Sequence, residues 1–311
     1  MLDFSKIKTY PVKERKSKVS ISQFGSACKP DVTLGDFVSS LPEILAGSDF
    51  RAVVSSIVTA RRNSRCVLFM LGAHVIKCGL SPIIVDLLRN EIVDGLAVNG
   101  GCSIHDFEIA MWGKTSEDVE AGLSDGTFGM AEETGRLMNE AFEEGARDGL
   151  GMGEVLGKKL ISLKAPHRDL SILAVCSELK RPITVHACVG ADIVHQHPSA
   201  SGAAIGKTSY EDFKKLASLV AGLEGGVVCN FGSAVVLPEV FLKALTIARN
   251  LGHAAAGFTA ANFDMIQQYR SNVNVVVRPT GGTGGYSLTG RHEIMIPLLA
   301  AAVKSGLKEG V

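Results

Sequence analysis

Neither sign of charge is in excess: Lys and Arg number 32, and so do Asp and Glu. That balance removes the basic footprint of a nucleic-acid binder and any general pull toward an anionic membrane. No apolar run approaches the roughly 18 residues of a membrane-spanning helix. The first residues, Met1-Leu2-Asp3-Phe4, lack the basic start and apolar stretch expected of a secretory signal. Disulfide and zinc spacings are missing too. The seven cysteines, at 28, 66, 78, 102, 176, 188 and 229, form no C-x-x-C and mostly sit in apolar runs. They read as reduced, small core residues of a cytoplasmic protein, with Cys78 and Cys102 set apart because they flank the turns discussed below. No G-x-G-x-x-G follows the first strand, so a dinucleotide would be held in another way than in standard dehydrogenases. Gly202–Thr208 (GAAIGKT) falls one residue short of a phosphate-binding loop, with Ser201 where glycine is needed and no strand leading in.

What is present is concentrated in Val67–Glu108. An apolar run (Val67–Leu71) meets Gly72, a helical pattern follows, and a second apolar run (Val93–Val98) meets Asn99-Gly100-Gly101. Strand, glycine turn, helix, strand, glycine turn is the signature of an open α/β sheet, which binds ligands at the C-terminal ends of its strands. With 311 residues, 46% hydrophobic, the chain can bury a sizeable core.

Alternation continues along the chain. Helices are predicted over Asp49–Arg62, Ser81–Asn90, Ser103–Trp112, Ser116–Leu123, Ala131–Asp148, Glu154–Leu163, Leu170–Leu179, Tyr210–Leu223, Pro238–Asn250 and His292–Lys304. Strands are predicted over Cys66–Leu71, Val93–Val98, Pro182–Ala187, Gly226–Asn230, Ala254–Thr259 and Val273–Val277, with Val189–Ser209 irregular and Gly281–Gly285 a glycine loop. Six strands nearly all followed by helices imply a mostly parallel, dinucleotide-binding-like sheet with helices on both faces, in one α/β domain over 35–311. Residues 1–34 carry six basic side chains between Lys6 and Lys18 and read as an arm, either solvated or wrapped on a neighbouring subunit.

Gly72, Gly100-Gly101 and Gly232 each follow an apolar strand, where glycine admits a ligand to the backbone and the next helix offers N–H groups to an anion. His74, His105-Asp106, His186, Asp192, His195, His197 and His292-Glu293 all fall in segments placed at that edge. They suit acid–base work, binding of a polyamine, or, for His105, Asp106, His186, His195 and His197, a metal ion. Lys77, beside the first glycine turn, is a candidate imine-forming amine if partly buried.

These residues resemble the deoxyhypusine synthase family. The likeness is distant and runs from about Phe69 to Ala301. It is clearest in Phe69–Leu80 (FMLGAHVIKCGL), Val93–Asp106 (VDGLAVNGGCSIHD), Leu156-Gly157-Lys158, Gly190-Ala191-Asp192, Phe258–Asp264 (FTAANFD) and Pro297-Leu298-Leu299. The resemblance implies a homotetramer with NAD between subunits and transfer of an aminobutyl group to a protein lysine. Its cofactor positions fall on Ala73 to Lys77, Asn99, Gly100, Gly101, His105, Ser233 and Thr259, and a polyamine-binding acid falls on Asp192.

The chain departs from the family where the chemistry lies. Asp264–Asn272 (DMIQQYRSN) replaces the stretch that ends Trp-Gly-Lys, and no lysine occurs between Lys243 and Lys304. Phe231–Glu239 (FGSAVVLPE) lacks the lysine and histidines of the family's glycine-rich turn, and His105 stands where the family has a glutamate. Standard deoxyhypusine synthesis is therefore not expected. The reading is an NAD-linked enzyme acting on a small amine, with Gly72–Lys77 and Asn99–Gly101 at the cofactor. Asp192, Glu239, Asp264 and His105 would meet the substrate cation, and His197, His186, Lys77 or Asp192 would act in catalysis. A metal-dependent enzyme using the His/Asp cluster, and a non-catalytic nucleotide-binding protein, are the alternatives on the same scaffold.

Overall fold

The computed structural model describes residues 1–308. Its strands are β1 (Val67–Leu71), β2 (Gly95–Asn99), β3 (Ile183–His186), β4 (Val227–Phe231), β5 (Thr259–Asp264) and β6 (Gly285–Thr289). All neighbours pair in parallel, in the order β3-β2-β1-β4-β5-β6. This is the doubly wound order, and it reverses direction between β1 and β4.

In chain order the helices are α1 (Leu34–Ser40), α2 (Leu45–Arg62), α3 (Ala73–Lys77), α4 (Ser81–Arg89), α5 (Gly100–Trp112), α6 (Val119–Asp125), α7 (Glu132–Asp148), α8 (Met152–Ser162), α9 (Ile172–Leu179), α10 (Gly202–Ala221) and α11 (Val236–Asn250). The short α12 (Tyr269–Ser271), a π-helical run (Asn272–Val277) and α13 (Arg278–Thr280) then follow each other directly, and α14 (His292–Lys308) ends the described chain. Alternate residues of β1 feed opposite faces of the sheet. Val67, Phe69 and Leu71 join the core built with α2, α4, α5, α9 and α14, while Leu68 and Met70 join α10, α11 and the π-helical run. The expected class, a parallel α/β sheet covered on both faces, is what the chain forms.

Three local expectations are corrected. Ala254–Thr259 is not a strand; β5 begins at Thr259. Its sequence, TAANFD, has few β-branched residues, and burial on both faces makes the strand instead. The valine-rich Val273–Val277 is helical, with Val275 and Val276 buried against the α10–α11 face. The place beside β5 is taken by β6, which begins at Gly285, the last residue of the expected glycine loop. Helix α10 begins at Gly202, eight residues early, with Ser201 capping Ala204 N–H at 3.2 Å. GAAIGKT is thus the start of a helix, not a loop around a phosphate.

Asp212 of α10 ties this helix to the sheet. One carboxylate oxygen accepts from Gly153 N–H and Val185 N–H, each at 2.8 Å, and the other is buried without a partner. Burial pushes its pKa up to about 7, outweighing those two bonds. A raised folded pKa means stability present below the unfolded value of about 3.9 and lost as pH rises through about 7. Asp212→Asn keeps an acceptor for both N–H groups and cannot ionise. Its stability relative to the parent is expected to climb, by a few kcal/mol, between pH 4 and 8; denaturant titrations at both ends check this.

Candidate active site

The site is built from the turns at the C-terminal ends of β1 and β2. Asn99, the last residue of β2, caps α5 by accepting from Cys102 N–H at 2.9 Å. Helix α5 then carries Gly101, Ile104, His105 and Glu108 along one wall of a cleft of about 210 Å³. Lys77 at the end of α3, Ser116, Glu117, Val119 and Phe128 around α6, and Ala191-Asp192-Ile193 form the rest. His105 and Glu108 are three apart and so share a helix face. Asp106 between them points the other way, into the core.

The glycine turns hold this chain's own atoms. A Cβ at Gly72 would stand 2.6 Å from the Gly232 carbonyl, because the β1 and β4 turns meet at the point where the strand order reverses. A Cβ at Gly100 would fall on the Asp192 carboxylate, and one at Gly232 on the His292 ring. Gly101 is more open, with the Ala73 methyl 3.3 Å away. Three of the close approaches expected of a ligand are therefore internal.

Asp192 closes the mouth of α5. Its carboxylate accepts from Cys188 N–H at 3.1 Å and lies 3.9 Å from His195 Nε2, whose Nδ1 accepts from Gly190 N–H. Burial raises the Asp192 pKa, against the Cys188 bond and the nearby His195. His105 Nδ1 is 2.6 Å from Thr115 Oγ1, which donates to Glu108 at 2.5 Å; Thr134 Oγ1 donates to the other Glu108 oxygen at 3.1 Å. Burial first, then the Lys77 charge, lowers the His105 pKa to about 4, so the ring is neutral at pH 7. Burial also raises Glu108.

Several expected site residues lie elsewhere. His186 is buried, bonded to Thr184 Oγ1 at 3.0 Å, and lowered to about 4 by desolvation. His197 bonds the Gly129 carbonyl at 2.8 Å and lies against Gly135 of α7, fastening that helix. Thr259 starts β5, at the opposite edge of the sheet from Gly72, and bonds Ser56. Glu239 is ion-paired to Lys243 and Arg270 and bonded to Asn274, which leaves it no free charge for a substrate. Asp264, His74 and His292 gather with Ser233 at the strand-order reversal, beside the cleft rather than in it. Lys77 is exposed, so the burial expected to activate it is missing. Cys78 and Cys102 are both pushed up by desolvation, which does not make thiolates.

Among the described residues no three His, Cys, Asp or Glu are placed to hold a metal. Of the five candidates, Asp106 binds backbone, His186 is walled in, and His197 is committed to Gly129. Glu108, Thr115 and Glu117 were not singled out in the sequence. The signal for Glu108 was its i+3 spacing from His105; Thr115 lies past the left-handed Gly113 that ends α5, where helical spacing says nothing.

No family model and no curated protein matches the sequence. Solved structures do match the fold. A proposed LOR/SDH protein from Methanococcus maripaludis S2 aligns over 89% of this chain and 71% of its own, with TM-score 0.51 and 10% identity. A proposed deoxyhypusine synthase from Entamoeba histolytica aligns over 90% and 96%, with TM-score 0.50 and 9% identity. AgrE, in its ternary complex with ornithine and NAD+, aligns over 86% of this chain but 34% of its own, with TM-score 0.53 and 13% identity. This chain thus spans about a third of AgrE. The likeness establishes a shared Rossmann-like fold.

No described helix is long and apolar enough to cross a membrane.

Proposed function

We propose that this protein is an enzyme that binds a small amine in the cleft beside α5 and uses NAD, by a reaction other than standard deoxyhypusine synthesis. The observation that carries it is the lining: Asp192, Glu108 and Glu117 against one lysine, at the C-terminal edge of a doubly wound sheet. Three carboxyl groups around a small cavity suit an ammonium group. They do not suit a diphosphate, and Asp192 already holds the mouth of α5 where a phosphate would dock.

The Gly72–Gly232 contact is closed and the Ser233 hydroxyl already accepts from Leu237 N–H, so NAD would lie outside that contact, along the exposed side of α3, where Ala73, His74 and Lys77 would hold it. Bound there, it would supply hydride exchange. That two kinds of neighbour, AgrE with ornithine and NAD+ and a proposed deoxyhypusine synthase, share the fold favours this pairing of ligands. The missing lysine between Lys243 and Lys304 argues against an imine made in the family's usual way.

A ligand that binds only the folded state raises its unfolding midpoint. Millimolar 1,4-diaminobutane is expected to raise it by several degrees, Asp192→Asn to abolish that rise, and NAD to add a separate one. No rise with the diamine would remove the amine reading. A rise with the diamine alone, on protein shown to carry no nucleotide, would remove NAD.

A further inference from the structure

The hydroxyl of Thr115 has one proton, and that decides the state of two other groups. The Thr115–Glu108 distance is 2.5 Å, and Glu108 as a carboxylate can only accept, so the hydroxyl proton points to Glu108. Thr115 must then accept from His105, which fixes the imidazole with its proton on Nδ1 and a bare lone pair on Nε2. No described residue bonds Nε2, and the ring lines the cleft. If Glu108 is instead protonated, it donates to Thr115, Thr115 donates to Nδ1, and the imidazole proton sits on Nε2. The same three side chains thus have two fully bonded arrangements that differ by one proton.

We propose that His105, Thr115 and Glu108 form a proton relay whose open end, His105 Nε2, takes a proton from the ammonium group of a substrate in the cleft. The step balances without another reactant. The N–H bond of the ammonium breaks and an Nε2–H bond forms. The Nδ1 proton passes to Thr115, and the Thr115 proton passes to Glu108. The products are a free amine, a neutral imidazole of the opposite tautomer and a neutral carboxylic acid. An amine needs its lone pair free before it can act as a nucleophile or lose hydride from the adjoining carbon, so the relay serves either chemistry.

The surroundings favour a relay over a lone histidine. An imidazolium here would be desolvated and would face Lys77 from α3. The relay never forms one. The other charges on the cleft, Glu117 beside α6 and Asp192 from the 188–193 segment, line the same cavity as the His105 ring and would draw a cation into it. Thr134 from α7 donates to the second Glu108 oxygen, and the Ser116 N–H also donates to this carboxyl, so Glu108 is held in place at the inner end of the relay.

The inference rests on the amine reading, but its test needs no ligand. The full chain, labelled with nitrogen-15 in histidine and carbon-13 in glutamate, is followed by NMR from pH 8 to pH 4. At pH 8 His105 is expected as the Nδ1–H tautomer. As Glu108 takes up its proton, His105 should change to Nε2–H in step with it, before any imidazolium forms. Thr115→Ser keeps this coupling; Thr115→Val and Glu108→Gln each abolish the step. An Nε2–H tautomer at pH 8, direct passage to imidazolium, or coupling that survives in Thr115→Val would overturn the relay. Because diamine binding is read separately by thermal unfolding, failure of one leaves the other standing. In turnover, Thr115→Val is expected to lower kcat about 100-fold with KM little changed, and Thr115→Ser to restore most of it.

Discussion

Asp106→Ala is expected to cost more than about 4 kcal/mol of unfolding free energy and to dismantle the cleft. The Asp106 side chain is fully buried and accepts from Ser171 Oγ at 2.5 Å, Ile172 N–H at 2.9 Å and Leu173 N–H at 3.0 Å. Those amides open α9, so one carboxylate caps that helix and ties it to α5. Its removal orphans three buried donors, each worth about 1–3 kcal/mol when left unpaired. Desolvation still wins against all three bonds and lifts the carboxyl to about 6, so the contact is a compromise rather than an ideal ion site. The amide variant Asp106→Asn keeps one acceptor oxygen and should lose markedly less. Denaturant unfolding of the two variants, with the parent, measures both. A loss under about 1 kcal/mol in Asp106→Ala would show that α5 and α9 do not depend on this tie. Because His105 and Glu108 leave the same helix on its other face, the Asp106→Ala cleft should also stop responding to 1,4-diaminobutane.

Phe231→Ala is expected to cost about 3–5 kcal/mol, the range for deleting a buried phenyl ring. Phe231 is the last residue of β4, with Phe69 of β1 on one side and Phe263 of β5 on the other, ring centres 4.9 Å away in both cases. All three are buried. Their backbone carries the turns: the Phe231 carbonyl accepts from Gly72 N–H at 2.8 Å, and the Phe263 carbonyl from Gly232 N–H at 3.1 Å. A cavity here therefore lies directly beneath the meeting of Gly72 and Gly232. Phe231→Leu, which refills part of the volume, should recover more than half of the loss. Equal losses for Leu and Ala would mean that ring geometry, not volume, sets the stability.

Most of the fold was legible because its signals are local. Val67–Leu71 and Val93–Val98 are apolar runs closed by glycine turns, the pattern of a strand buried on both faces. Strands β5 and β6 were misplaced because the deciding facts are distant. TAANFD becomes a strand by lying between β4 and β6, while the valine run of 273–277 is helical, with Val275 and Val276 buried, and β6 takes the place beside β5. That shift moved Thr259 from the site edge of the sheet to the opposite one.

The candidate site divides in the same way. Sequence order alone put Lys77, Gly101, His105 and Asp192 at the ends of strands, and all four line the cleft. It could not tell which histidines were already used. His186 and His197 look as available as His105 in the sequence, yet Thr184 and the Gly129 carbonyl hold them. Nor could it show that the glycine turns are filled from within, by the Gly232 carbonyl, the Asp192 carboxylate and the His292 ring.

What the sequence determined by itself was the α/β class, the absence of a lysine between Lys243 and Lys304, and the edge of the sheet where polar residues gather. These follow from periodicity, composition and the rule that parallel strands present their C-terminal ends to ligands. What only the tertiary structure decided was which of those polar groups have a free lone pair. Hydrogen bonds are satisfied across tens of residues, as between Glu108 and Thr134 or Asp106 and Ser171, and no local pattern records where the last proton goes.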